Sequence, residues 1–259
     1  MSADTGKMNV RHDRIVEYVA SRGETPAGEL ASRLGVSLAT VRRDLALLER
    51  AGRLVRTHGG ALLSKAGVVE FAFAERSERF SAEKRAIARK VASMVPPGAT
   101  LALDSGTTTT EVAKALAGTK GLTVLTSSLA IASVLYARDD VDMVLLGGAS
   151  RKGSPDLTGW LTEENLKRFH VDYAIVGADG VTRDGAYTRA LDLARICQAV
   201  LAAGRTSILV VDHSKIGTPS FSRYATLKEF DCLVTDTGVP AAARRWLNRA
   251  GNQVLYVRP

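Results

Sequence analysis

Ser37-Leu38-Ala39-Thr40-Val41-Arg42-Arg43-Asp44-Leu45-Ala46-Leu47-Leu48-Glu49-Arg50-Ala51-Gly52 is the stretch whose reading decides the fold of the N-terminal part of this chain. Val41, Leu45 and Leu48 recur at i, i+4 and i+7, the spacing of one helix face. Ser37 is placed to cap that helix and Gly52 to stop it. An aliphatic stripe of this kind has to be buried against neighbouring helices. Ser37, Thr40, Arg43 and Arg50, with Arg42 beside them, are then turned toward solvent or a partner.

The neighbours of this helix are legible on both sides. Upstream, Ile15, Val16 and Val19 lie at helical spacing and Gly23 breaks the pattern. Thr25 is positioned to cap a second helix beginning at Pro26, where the missing N–H would go unsatisfied anyway. Leu30 and Leu34 mark its buried face and Gly35 its end. Downstream, Arg53 to Thr57 and Ala61 to Leu63 flank Gly59-Gly60, a pair that permits the positive φ angles of a tight hairpin. Residues 1–65 thus read as three helices and a β-wing.

Val68 to Phe80 has no clean period, and residues 66–80 are expected to connect two domains, with Phe71 and Phe73 docking the connector. A helix is expected over Ser81 to Val95, carrying Ile87, Val91 and Met94 on one side and ended by Pro96-Pro97-Gly98. Residues 81–259 then alternate apolar strand and amphipathic helix. The strands are Leu101 to Asp104, Thr123 to Thr126, Met143 to Leu146, Ala174 to Gly177, Ile208 to Asp212 and Leu233 to Asp236, with a last one near Val254 to Val257. Short runs that are apolar on both faces belong in a parallel sheet covered on both sides. The fold class is α/β, with a C-terminal doubly wound parallel domain.

Charge and composition narrow the partners. The chain of 259 residues has 46% hydrophobic and 24% charged residues, the balance of an ordinary globular protein, and a net charge of +8. Residues 1–65 hold 11 Lys and Arg against 7 Asp and Glu, and the rest, three times longer, holds 24 against 20. Positive charge is therefore denser at the N-terminal end, which favours an anionic partner. Met1 to Arg14 is polar and unlike a signal peptide, and no run approaches the roughly 20 apolar residues of a membrane span. A cytoplasmic location is expected. Cys197, on an apolar stripe with Leu193, Ile196, Val200 and Leu201, and Cys232, at the start of a strand, show no metal-ligand spacing. They read as inert core thiols, and no metal is expected.

Ligands of open parallel sheets gather at the carboxyl ends of the strands. Those ends read Asp104-Ser105-Gly106-Thr107-Thr108-Thr109-Thr110, Thr126-Ser127-Ser128, Gly147-Gly148, Gly177-Ala178-Asp179-Gly180 and Asp212-His213-Ser214-Lys215. Thr108 and Glu111 have capping-box spacing, placing a helix N-terminus directly after the first strand, where N–H groups and hydroxyls form an anion cradle suited to phosphate. The plainer alternative is that these hydroxyls only cap helices. No GxGxxG or GK[ST] run is present, so neither NAD nor ATP is expected and no cofactor is assigned. Asp104, Asp179, Asp212 and Lys215 suit either an acid/base set acting on a sugar phosphate or ligand hydrogen bonding without turnover.

Several of these runs together resemble one family. Arg42-Arg43-Asp44-Leu45, Arg56-Thr57-His58-Gly59-Gly60-Ala61, Asp104-Ser105-Gly106-Thr107-Thr108-Thr109, Gly177-Ala178-Asp179-Gly180 and Asp212 to Gly217 are similar to the DeoR-type (DeoR/GlpR) transcriptional repressors, over about residues 10–237. The resemblance implies a winged helix-turn-helix joined to a sensor similar to ribose-5-phosphate isomerase. It implies repression of a carbohydrate operon and release from double-stranded operator DNA when a phosphorylated sugar binds.

Carried over by position, Ser37, Thr40, Arg42 and Arg43 fall on the recognition helix and Arg56, Thr57, His58 and Gly59 on the wing. Arginine suits both places, since it contacts guanine edges bidentately or clamps phosphates. The implied effector residues are Asp104, Ser105, Gly106, Thr107, Thr108 and Thr109, then Thr126, Ser127 and Ser128, Gly147 and Gly148 with Arg151, Gly177, Asp179 and Gly180, and Asp212 with Lys215. Four positions depart from the pattern: Ala149 replaces an acidic residue, Arg195 and Cys197 stand where Glu and Lys are common, and His213 replaces a serine. They point to a different ligand or to a pocket that has lost sugar-phosphate binding.

Two other functions fit the same residues: an α/β domain that only oligomerises the reader, and a sugar-phosphate isomerase with an accessory DNA-binding domain. A single winged helix contacts few bases, so paired half-sites and a homodimer or homotetramer are expected.

Overall fold

The computed structural model describes residues 3–259, with the side chains of residues 3–7, 9, 70 and 71 outside the description. Phe71, expected to dock the connector, is therefore outside the described side chains, while Phe73 is half-buried. The chain divides into two compact units, Met1–Arg76 with Lys152–Ser154, and Ser77–Arg151 with Pro155–Pro259.

In the first unit, α1 (Ala3–Arg22), α2 (Ala27–Leu34) and α3 (Leu38–Arg50) are the three helices the periodicity predicts. Ile15, Val16, Val19, Leu30, Val41, Leu45 and Leu48 fill their common core with Leu54 and Ala61. Thr25 does not cap α2. Thr25–Pro26 forms a short strand, β1, and Pro26 itself stands at the N-cap. The Thr25 hydroxyl donates to the Gly23 carbonyl at 3.0 Å instead.

The wing is the antiparallel pair β2 (Leu54–Arg56) and β3 (Gly60–Leu63), and β1 adds to the outer side of β3. Its glycine pair is there for a different reason than the one expected. Neither Gly59 nor Gly60 adopts a positive φ. A Cβ on Gly60 would lie 2.0 Å from the Thr25 carbonyl oxygen, so the β1–β3 pairing requires glycine. The stretch after the wing, read as lacking a period, is helical: α4 spans Lys65–Glu78.

A charged side chain is buried with this apolar core. Asp44 lies on the inward stripe of α3 between Val41 and Leu48, only 2% exposed. Arg11 of α1 clamps its carboxylate, Nε to Oδ2 at 2.6 Å and Nη2 to Oδ1 at 3.1 Å, and His12 Nε2 lies 3.1 Å from Oδ1. Burial pushes the Asp44 pKa up, but the bonds from Arg11 and His12 outweigh it and hold the carboxyl below its usual range.

The second unit opens with α5 (Ser81–Ala92) and continues through β4 (Thr100–Leu103), α6 (Thr107–Leu116), β5 (Leu122–Thr126), α7 (Leu129–Leu135) and β6 (Val141–Leu145). A small ribbon of β7 (Ala149–Ser150) and β8 (Leu157–Thr158) leads into α8 (Trp160–Leu166) and β9 (Val171–Val176). Next come β10 (Gly180–Thr182), β11 (Gly185–Thr188), α9 (Leu191–Ala203), β12 (Gly204–Val210) and β13 (Ser222–Ala225). The unit ends with β14 (Cys232–Asp236), α10 (Ala241–Leu247) and β15 (Gln253–Val257).

Seven of these strands form one parallel sheet in the order β15-β14-β12-β9-β4-β5-β6. They are the strands that the apolar runs predict. Alternate residues sort onto two cores: Leu101, Leu103, Val124, Ile208 and Val234 pack under α5, α6 and α7. Ala102, Leu125, Val176, Leu209 and Leu233 pack under α8, α9 and α10. Between β12 and β14, where a helix would continue the alternation, the chain instead makes a 3-10 turn (His213–Lys215) and β13, which joins β11 and β10 in a separate antiparallel sheet.

The Arg11 clamp generates a stability prediction. Removing one partner of a buried ion pair leaves an uncompensated charge, at about 3 kcal/mol here, the low end of the range because Arg11 is partly exposed. We expect Arg11→Ala to destabilise the first unit by that order at pH 7. Because the Asp44 pKa is depressed in the folded chain, the clamp contributes above the unfolded carboxyl pKa and is lost as pH falls through the folded value. Denaturant melts at pH 7 and pH 3 check this; an equal deficit at both pH values contradicts it.

Candidate functional site

The outward face of α3 is the first candidate. With Val41, Asp44, Leu45 and Leu48 buried, Arg42, Arg43 and Arg50 are exposed on the opposite side, as are Ser37, Leu38 and Ala39 at the start of the helix. Ser37 caps the helix as expected: its Oγ accepts from Thr40 N at 3.1 Å, and it lies 2.8 Å from Thr40 Oγ1. The hydroxyls of Ser37 and Thr40 are thus engaged with each other, whereas Arg42 and Arg43 are not drawn into the fold. On the wing, His58 and Gly59 are exposed at the tip and Thr57 is half-buried. Arg56 is exposed too, although Glu49 reaches it, accepting from its backbone N–H at 3.2 Å and lying 3.9 Å from its guanidinium. The Gly59 carbonyl accepts from Ala27 N at 2.8 Å, tying the tip to the start of α2.

The second candidate lies at the carboxyl ends of the sheet strands. From β4 the chain builds outward through β5 to β6, then returns to place β9 on the other side of β4. This reversal makes the crevice outside β4 and β9 the switch point where such sheets take ligands. Asp104 follows β4 there, 3% exposed, its Oδ2 accepting from Gly177 N at 3.2 Å and its Oδ1 from Ser105 N at 2.6 Å. Burial is the main reason its pKa rises to about 7; Asp156 adds to the rise, while the two backbone N–H bonds and the Cys197 thiol oppose it. Burial in turn pushes the Cys197 thiol well above its ordinary pKa. Cys197 is a core thiol, as its stripe predicts, but one in contact with the Asp104 carboxyl.

Asp156, which no periodicity or motif singles out, is the hub of this crevice. It is 1% exposed and receives Arg151 in a two-pronged pair, Nε to Oδ1 at 2.8 Å and Nη2 to Oδ2 at 2.6 Å. Ser105 Oγ donates to the same carboxylate at 2.6 Å. The structure therefore brings together Asp104, Ser105, Arg151 and Gly177 from the expected set. Asp179 also acts electrostatically on Arg151 and accepts from Thr188 Oγ1 and Arg189 N. Tyr224, likewise unanticipated, donates to the Gly177 carbonyl at 2.6 Å.

Other expected residues are engaged within the fold. Thr109 and Thr110 donate to the Gly106 carbonyl, Thr126 to the Leu103 carbonyl, and Ser128 caps α7. Ser127 is buried beside them, its carbonyl accepting from Leu157 N. Gly148 and Gly180 sit where a Cβ would collide with Thr162 and Thr218, and the Gly147 carbonyl accepts from Thr162. Asp212 caps its own turn through Ser214 N at 3.0 Å. Lys215 has no ion-pair partner among the described residues.

The expected capping box at Thr108 and Glu111 is absent. Gly106 stands at the N-cap of α6 with no side-chain cap, and Glu111 pairs with Lys114. Thr107 and Thr108 remain half-exposed on an open first turn.

Of the departing positions, Ala149 is exposed and Arg195 pairs with Glu163 at 3.0 Å. His213 lies between the Asp236 carboxylate, 2.8 Å from its Nδ1, and the Phe80 ring, whose centroid is 4.9 Å away. Among the described residues there is no metal-binding cluster and no helix long and apolar enough to cross a membrane.

A helix-turn-helix with an outward basic helix and wing, and a parallel α/β unit with a polar crevice at its switch point, define a DNA-binding transcriptional regulator with a sensor. Comparison with known proteins places it more closely. The chain belongs to the DeoR family: the DeoR-like helix-turn-helix domain matches residues 11–66 and the DeoR C-terminal sensor domain residues 79–237. It is 33% identical to the glycerol-3-phosphate regulon repressor of Escherichia coli K12, over 93% of this chain and 96% of that protein. It is 32% identical to the HTH-type transcriptional repressor GlcR of Bacillus subtilis 168, over 93% of each. Among solved structures, ribose 5-phosphate isomerase A from Neisseria gonorrhoeae is 20% identical, with a TM-score of 0.40 over 52% of this chain and 53% of that one.

The raised pKa of Asp104 has a measurable sign. The folded chain retains a proton that the unfolded chain gives up near pH 4, so this group makes stability fall as pH rises from about 4 to about 7 and level off above. We expect Asp104→Asn to remove that decline, so that the variant gains on the wild type between pH 5 and pH 8 in chemical denaturation. A difference that stays constant across this range contradicts the assignment.

Proposed function

We propose that this chain is a repressor of a carbohydrate-metabolism operon, released from double-stranded operator DNA by a phosphorylated sugar or a close relative of one. The observation that carries the reading is the exposed ridge of Arg42 and Arg43 on α3, opposite a stripe that is fully buried. Arg42 and Arg43 enter the major groove with Ser37 and Thr40 at the head of the helix, while Arg56, Thr57, His58 and Gly59 follow the backbone beside it. The reader comprises residues 1–65, the connector 66–80 and the sensor 81–259. The protein works as a homodimer or homotetramer on paired half-sites.

In the sensor, the open first turn of α6, with Gly106, Thr107 and Thr108, takes the phosphate. Arg151 and Lys215 supply positive charge. Asp104, Asp179 and Asp212 accept from sugar hydroxyls, and Ser105, Thr109, Thr126, Ser127, Ser128, Gly147, Gly148, Gly177 and Gly180 shape the wall. A relative named for the glycerol-3-phosphate regulon supports a phosphorylated metabolite as the effector class.

Three experiments test this. Arg43→Ala is expected to weaken operator binding by about 1–3 kcal/mol and random duplex by less; equal losses on both contradict base reading. A screen of glycerol 3-phosphate and sugar phosphates is expected to find one that releases operator and stabilises the chain by about 2.7 kcal/mol at 100 times its dissociation constant. Asp104→Ala is expected to bind operator normally yet resist that release. Operator binding untouched by any of these compounds favours a sensor that only oligomerises, and their turnover favours an isomerase.

A further inference from the structure

The first turn of α3 carries an apolar side chain that neither the core nor the cap uses. Leu38, the first residue of the helix, is 40% exposed, and Ala39 beside it is exposed as well. The hydroxyls on either side, Ser37 and Thr40, are held 2.8 Å from each other, with Thr40 N donating to Ser37 Oγ. Leu38 and Arg42 are four residues apart, as are Ala39 and Arg43, so the two apolar groups stand on the same ridge as the two guanidinium groups. A scattered surface leucine needs no explanation. This one occupies the turn that, in a helix-turn-helix, comes nearest the base edges, and it is flanked by cations that complement a polyanion.

Arg42 and Arg43 only donate hydrogen bonds, so they discriminate guanine edges and phosphates but provide no preference for thymine. The one apolar group displayed by bases in the major groove is the thymine C5 methyl. We propose that Leu38, supported by Ala39, packs on a thymine methyl and is a specificity-determining residue of this reader. The inference rests on the DNA-reading function proposed above and adds a base that the arginines leave unread.

The test uses the full chain and a duplex enriched by it from a random-sequence pool. Each thymine of the enriched site is replaced in turn by deoxyuridine, which removes the methyl and nothing else. At one thymine per half-site we expect the wild type to bind about fourfold more weakly, the ratio that burial of one such group is worth. Leu38→Ala should bind the thymine and deoxyuridine duplexes equally at that position, and Leu38→Gln should do the same. Because Leu38 is outside the core, unchanged melting of both variants separates lost recognition from lost folding. An enriched site that is insensitive to methyl removal, or sensitive to the same degree in both variants, overturns this inference and leaves the reader assignment standing. A wild-type chain that enriches no sequence overturns the reader assignment and this inference together.

Discussion

Asp44 is a charged group placed where the third helix would otherwise be wholly aliphatic, and most of what the first unit presents to a partner follows from it. Its carboxylate survives burial because Arg11 and His12 of α1 reach it with three short contacts. At 3.6 residues per turn, fixing one side chain fixes the rotation of the helix. With Asp44 turned toward α1, its sequence neighbours Arg42 and Arg43 are carried round to the exposed side. Aliphatic packing alone tolerates small rotations, because one methyl contact is readily replaced by another. A carboxylate met by a guanidinium fork from another helix does not, since its geometry is directional.

The sensor unit shows a related economy of charge at the switch point. Asp104 accepts from two backbone N–H groups but has no ion-pair partner among the described residues, and its burial makes it hard to ionise. Asp156 instead carries the full guanidinium of Arg151 and the Ser105 hydroxyl. Two carboxyl groups in one crevice therefore differ in their surroundings, one proton-retaining and one clamped. The loop after β4 and the loop around Arg151 are joined through the second of them.

Much of this architecture is legible in the amino-acid order because burial leaves a periodic trace. The stripe of Val41, Leu45 and Leu48 and the seven apolar strand runs each report their buried faces directly. Connector helix α4 left no such trace, since Val68 and Ala74 are exposed along with its charged residues and no single apolar face recurs. The β10–β11–β13 sheet was illegible because its strands are three or four residues long and the first two are opened by glycines that a close backbone approach requires.

In the sites, Asp104 could be found from its place at a strand end. The same logic, applied to Asp236 at the end of β14, would have found the partner of His213. Asp156 had no pattern around it, and its role depends on the β7–β8 ribbon folding it back to Ser105. Asp44 was passed over, although a carboxylate inside an aliphatic stripe is a local inconsistency that signals a partner elsewhere in the chain.

We propose that the α1–α3 ion pair sets the orientation of the exposed Arg42–Arg43 ridge. A double-mutant cycle of Arg11→Ala and Asp44→Ala, read in operator affinity below the unfolding midpoint of every variant, decides whether it does. Each single change is expected to weaken specific binding, although neither residue lies on the exposed ridge, and the double change to be no worse than the poorer single one. Arg11→Ala binding operator as tightly as the wild type would contradict it.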